Sequence, residues 1–133
     1  MVKITKGKFE GLKRLSNKKG IIEALAIDQR GSIEKMLAKV KGSSVKLEEI
    51  EEFKEAVSKE LTQYTSAILL DLEYGTTAIK AKNPDTGLLV AYEKTGYDAT
   101  EAGRLPDLID DLSALRIKEY GANAVKLLIY YDP

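Results

Sequence analysis

Two residues in this sequence are of a type, and in a place, that could do chemistry. Lys126 lies inside the apolar run "NAVKLLIYY" (123–131), and Asp28 closes the run "ALAI" in "ALAIDQRG" (24–31). An unpaired ammonium is costly to bury, so a lysine between Val125 and Leu127 calls for a partner or a job. Period-two alternation groups Ala124, Lys126, Leu128 and Tyr130 on one strand face and Val125, Leu127 and Ile129 on the other. The same alternation puts Asp28 at a strand end, on the face of the small residues Ala24 and Ala26, with space beside its carboxylate. Two environments are open to Lys126. Desolvation would depress its pKa and free a neutral amine to attack a carbonyl; a nearby carboxylate such as Asp28 would keep an ammonium that donates a proton or holds a phosphate. The plain structural alternatives are that Lys126 belongs to an ion pair serving packing or register, and that Asp28 caps the turn into the next helix.

Other carboxylates are less distinctive. Asp71 and Glu73 in "LLDLEYG" (69–75) flank a strand end, where a turn-facing carboxylate is the simpler expectation for Asp71, and Glu93 and Lys94 carry the same ambiguity. The glycines at 75, 87, 96 and 103 match neither a P-loop nor a dinucleotide fingerprint. The 133 residues contain no histidine and no cysteine, which removes imidazole acid/base chemistry, thiolate nucleophiles and His- or Cys-ligated metal from this chain. Reaction chemistry must then come from Lys, Asp, Glu, Tyr, Arg or the backbone.

The elements that must position Asp28 and Lys126 follow from periodicity. Four short apolar runs, "IIEALAI" (21–27), "SAILLDL" (66–72), "LLVAYE" (88–93) and "NAVKLLIYY", alternate with helical patterns, as in βαβ units with a parallel sheet. Leu47, Ile50, Phe53, Val57 and Leu61 recur at three- and four-residue spacing and predict an amphipathic helix. A shorter helix is expected from about Ser32 to Lys39, ending near Gly42, and another from Thr76 to Lys82, closed by the turn Asn83-Pro84-Asp85. In "LPDLIDDLSALRIKEYG" (105–121), the early aspartates and the late Arg116 and Lys118 predict a helix that starts at Pro106, with Gly121 just past its end. "KTGYDATEAGR" (94–104) reads as a polar loop after a strand, where α/β folds place function.

With 44% hydrophobic and 32% charged residues the chain reads as a single domain over 1–133 with a real core. Its 21 basic and 21 acidic residues cancel, which gives no reason to expect nucleic acid or an anionic membrane as partner. The basic N-terminus lacks an apolar h-region, and no apolar run is long enough to span a bilayer, so a cytoplasmic location is expected. The four strands suit either a small flavodoxin-like sheet or the first half of a (β/α)8 TIM barrel. No helix follows the last strand, and a complete barrel takes about 250 residues, so half a barrel is the expectation.

The stretches "ALAIDQRG", "AILLDLEYG", "LLVAYEKTGYD", "GRLP" and "GANAVKLLIYYD", in that order, closely resemble the N-terminal part of the class I (Schiff-base) tagatose 1,6-bisphosphate aldolases. The resemblance covers nearly all of the chain from Gly20 onward. One departure is Leu72, where the family pattern "LLDPEYG" has proline. The resemblance implies a (β/α)8 barrel that cleaves a ketose bisphosphate into dihydroxyacetone phosphate and glyceraldehyde 3-phosphate without a metal or other cofactor. Asp28 then corresponds to the first-strand aspartate and Lys126 to the fourth-strand lysine that assists proton transfer and holds substrate, with Gln29 a further substrate contact. The family's catalytic glutamate, Schiff-base lysine and phosphate-binding arginine belong to the fifth, sixth and eighth strands, expected beyond Pro133. On that ground the chain alone is expected to be inactive, and to dimerise, aggregate or pair with a missing C-terminal half. A related aldolase for another phosphorylated ketose, such as a sulfo-sugar phosphate, and a noncatalytic binding or regulatory remnant remain open on these residues.

Overall fold

The computed structural model describes residues 3–94 and 105–129. Four strands, β1 (Ala24–Ala26), β2 (Ala67–Leu70), β3 (Gly87–Ala91) and β4 (Ala124–Lys126), form one sheet in the order β1-β2-β3-β4. All three pairings are parallel. This sequential order is that of half a (β/α)8 barrel; a flavodoxin-like sheet places its second strand outside the first. The helices between the strands are α2 (Gly31–Lys41) and α3 (Leu47–Leu61) after β1, α4 (Thr76–Ala81) after β2 and α5 (Ala114–Glu119) after β3. Among the described residues no helix is long and apolar enough to cross a membrane.

Alternation along the strands sorts the two faces. Ile27, Ile68, Leu70, Leu88 and Val90 pack with Ala78 of α4 and Ile117 of α5 in a core between sheet and helices, to which Leu25, Leu72 and Tyr92 also contribute. Ala24 and Ala26 lie on the opposite face of β1, as their alternation with Leu25 and Ile27 predicts. Continuing the register of the three pairings puts Asp28, Asp71, Ala91 and Lys126 at one level along the sheet, with Glu93 and Leu128 one layer higher.

The long helix α3 forms where predicted, but its buried side is rotated from the predicted stripe. Ile50, Lys54 and Ser58 are buried, whereas Leu47, Phe53 and Leu61 are exposed. Polar partners on neighbouring elements account for the rotation: the Ser58 hydroxyl donates to the Ala78 carbonyl (2.7 Å) and the Lys54 ammonium is fully engaged. Helix α2 ends at Gly42, which takes the left-handed conformation (φ 75°) that a glycine there adopts freely.

One expectation changes, and one element was not anticipated. The helix predicted from Pro106 begins only at Ala114, where the Ser113 hydroxyl caps it by accepting from the Arg116 amide. The preceding residues are extended. Lys94 donates its amide to the Asp107 carbonyl (2.7 Å) and Ile109 to Tyr92 (3.0 Å), so Glu93 and Leu108 pair antiparallel, and Asp111 turns with φ 58°. Backbone groups committed to the end of β3 cannot close helical turns. Secondly, the basic N-terminal segment forms helix α1 (Lys6–Leu15), capped by the Thr5 hydroxyl. It lies against the N-terminal ends of the strands: a Cβ on Gly11 would come 2.7 Å from the Asn123 carbonyl oxygen, and one on Gly87 would come 2.7 Å from that of Arg14. The Ser66 hydroxyl ties the same end, donating to the Leu15 carbonyl and accepting from the Glu23 amide. The loop 95–104 and the strand end 130–131 lie outside the described residues.

Candidate active site

Asp28 stands where the ladder of β1 ends, since Ile27 still donates to the Leu69 carbonyl (3.0 Å) and Asp28 follows it. Lys126 is the last residue of β4, and Glu93 lies two residues past β3. The structure brings the three side chains together. The Lys126 ammonium lies 3.1 Å from Asp28 Oδ2 and is paired also with Glu93 Oε1, while Glu93 Oε2 accepts from the Leu128 amide at 3.4 Å. The Glu93 side chain is 3% exposed, that of Asp28 15% and that of Lys126 28%, so the cluster is sheltered but open on the Lys126 side.

Geometry also explains how residues 98 positions apart can meet. A flat sheet would hold its outer strands β1 and β4 roughly 14 Å apart, at or beyond the full reach of the two side chains. The sheet is therefore curled, and the ion pair crosses its concave side at the C-terminal ends of the strands, where barrels carry their active sites.

Of the two environments open to Lys126, the structure selects the second. Burial pushes its pKa down, but the hydrogen bonds it donates to Glu93 and Asp28, with their negative charges, outweigh burial and raise it above the ordinary value. Lys126 is an ammonium, a donor and counter-ion and not a free amine nucleophile. Nor does Asp28 cap the next helix: α2 begins behind Arg30 with no side-chain cap, and the Asp28 carboxylate is turned to Lys126.

Gln29 is exposed, and its backbone carbonyl accepts from the Lys54 ammonium (2.7 Å). Asp71 is more than a turn-facing carboxylate. It accepts from the Tyr74 amide (2.7 Å), is wholly buried, and forms an ion pair with equally buried Lys54. Arg30, also buried, donates Nη2 to the Glu93 carbonyl (2.9 Å). Lys94 pairs with Asp110 at the surface (2.7 Å). Among the described residues no group of three acidic side chains comes together as metal ligands would.

Sequence reasoning missed Glu93 as a partner of Lys126 and Lys54 as a buried cation. For Glu93 the signal was present: in "LLVAYE" it shares the alternating face of Leu89 and Ala91, the arrangement that marked Asp28 in the first strand. For Lys54 no local signal exists, because its partners come from two other segments.

A curled, sequentially ordered parallel sheet with a lysine held between carboxylates at its C-terminal strand ends is the framework of half a (β/α)8 barrel, with its charged cluster where such barrels carry their active sites. A family model described as DeoC/LacD family aldolase matches residues 22–133, and the chain belongs to that family. Among curated proteins it is 68% identical over 133 residues to a tagatose 1,6-diphosphate aldolase of Listeria monocytogenes serotype 4a, covering all of this chain and 39% of the relative. It is 58% identical over 132 residues to tagatose 1,6-diphosphate aldolase 2 of Enterococcus faecalis, covering 99% of this chain and 40% of the relative. A tagatose 1,6-diphosphate aldolase of Staphylococcus epidermidis is 56% identical over 125 residues, or 94% of this chain and 38% of that protein. The chain thus spans about two fifths of the length of these relatives.

Proposed function

We propose that residues 1–133 are one folding unit of a cytoplasmic class I aldolase that cleaves tagatose 1,6-bisphosphate to dihydroxyacetone phosphate and glyceraldehyde 3-phosphate. The observation that carries this reading is the Lys126 ammonium held between Asp28 and Glu93 at the strand ends. The names of the relatives supply the substrate.

In this reading Asp28 and Lys126 are the catalytic groups of the segment, and Gln29, exposed beside Asp28, joins Lys126 in contacting the sugar. In a retro-aldol cleavage the C3–C4 bond breaks, its electron pair moves toward C2, and the C4 hydroxyl loses its proton as the aldehyde forms. The sixth-strand lysine implied by the resemblance supplies the electron sink at C2. Asp28, 3.1 Å from the Lys126 ammonium, can accept or return a proton on a substrate hydroxyl. Lys126 has its raised pKa to keep it charged, so it donates a hydrogen bond to substrate oxygen without forming a covalent bond.

The experiment is a chimera in which these 133 residues replace the matching segment of the Listeria relative. It is expected to cleave tagatose 1,6-bisphosphate and to be trapped by borohydride at a lysine outside this segment. Asp28→Asn and Lys126→Met should each lower kcat by about a hundredfold or more, the usual scale for a lost acid/base or charge-stabilising group. An active chimera indifferent to both substitutions, or an adduct on Lys126, would overturn the assignment.

A further inference from the structure

The Lys54–Asp71 pair is unusual in what it touches. Both side chains are fully buried, and desolvating two charges is expensive enough that an apolar pair would often stabilise as well or better. The ammonium donates to Asp71 Oδ2 and to the Gln29 carbonyl, with its centre 5.7 Å from the middle of the Tyr74 ring. It thereby joins α3, the segment leaving β1 and the turn leaving β2 at a single atom. The carbonyl it holds belongs to Gln29, the residue immediately after Asp28. On the other side of the site, buried Arg30 does the same for Glu93, whose carbonyl it holds at 2.9 Å. Each carboxylate that grips Lys126 is thus anchored through a neighbouring carbonyl by a buried cation.

We propose that Lys54, oriented by Asp71, is a positioning residue for Asp28, acting through the Gln29 carbonyl to hold the carboxylate against Lys126. The bond from Nζ to Gln29 fixes the backbone on the C-terminal side of Asp28, where the strand ladder has already ended and no pairing restrains it. Removing the tether frees that peptide, Asp28 moves away from Lys126, and the ammonium keeps Glu93 alone.

The test is trace acetylation of the chain at pH 8.5, with the rate at Lys126 read by peptide mass spectrometry against exposed Lys59 as internal standard. Two variants cut the tether while leaving no unpaired buried charge: Lys54→Met with Asp71→Leu, and Lys54→Gln with Asp71→Asn, whose shorter amide does not span to Gln29. In each that retains a cooperative melt, Lys126 should react roughly three to ten times faster, because each pKa unit lost multiplies the neutral amine fraction by about ten. A pair that serves stability alone would change the melt and leave that rate where it was, and an unchanged rate overturns the proposal. So does a failure of both variants to fold, which would make the pair a requirement of the fold. The bearing on catalysis rests on the aldolase reading, but the labelling reports geometry alone. An inactive chimera would therefore defeat that reading without altering this result, and a flat labelling rate would defeat positioning without altering that one.

Discussion

Replacing Lys54 by methionine leaves the volume of the side chain nearly unchanged, so the effect is electrostatic. Asp71, wholly buried, keeps the Tyr74 amide as donor but loses its counter-ion, and the Gln29 carbonyl loses the ammonium as well. Breaking a buried pair from one side costs about 3–5 kcal/mol, a large share of the roughly 5–15 kcal/mol that holds a domain together. Asp71→Leu, stranding the ammonium, should cost about as much. Together the two substitutions exchange an ion pair for an apolar contact, which is neutral or stabilising by about 1–4 kcal/mol, less about 1–3 kcal/mol for the Tyr74 amide left without its acceptor. The double variant should therefore lie within about 3 kcal/mol of wild type, and the coupling between the sites should be at least about 3 kcal/mol. Urea denaturation of all four proteins at pH 7 measures it. Single variants that each lose under about 1 kcal/mol and combine additively would show a pair solvated like a surface salt bridge, and the account of its burial would fail.

Three more expectations follow from the packing and the charges. Because the folded-state pKa of Lys126 lies above its ordinary 10.5, its contribution to stability is complete below pH about 10.5 and fades as the pH rises through the folded value; denaturation midpoints from pH 9 to 12 should fall more steeply for wild type than for Lys126→Met. Gly7 and Gly11 occupy the same helix, but a Cβ on Gly7 meets nothing within 4 Å whereas one on Gly11 runs into the Asn123 carbonyl oxygen. Thermal melts should show Gly7→Ala gaining about 0.5–1 kcal/mol and Gly11→Ala losing about 1–3 kcal/mol. Finally, the 133-residue chain mixed with tagatose 1,6-bisphosphate and borohydride should keep its intact mass of 14.7 kDa, since Lys126 is charged; a reduced adduct on that residue would show it to be a nucleophile after all.

What could be read from the sequence was what local pattern dictates. Alternation in short apolar runs gives the strands and their faces, and with them the convergence of Asp28 and Lys126 on one side of a parallel sheet. Three- and four-residue spacing locates α3 but not its rotation, because Lys54 and Ser58 bury their polar ends against Asp71 and Ala78, partners 17 and 20 residues on. The Pro106 and aspartate signals were real helix-start signals overridden by pairing with residues 92–94. Helix α1 had a capping Thr5 and the spacing Phe9, Leu12, Leu15, a signal that drew no expectation, and the contact that settles it, Gly11 against Asn123, is made with the far end of the chain.

The ion pair that crosses the curled sheet also has a bearing on the order in which the protein is made. Asp28 is synthesised 98 residues ahead of Lys126, a delay on the order of 5–20 s at roughly 5–20 residues per second. Throughout that interval the nascent chain can zip β1 to β2 and β2 to β3, each strand finding its neighbour already in place, while the carboxylate at the end of β1 stays hydrated. Only the arrival of β4 closes the charge cluster, so the ion pairs form at the last pairing of the four strands, and any emerging polypeptide stalled before residue 126 carries the framework without its cation.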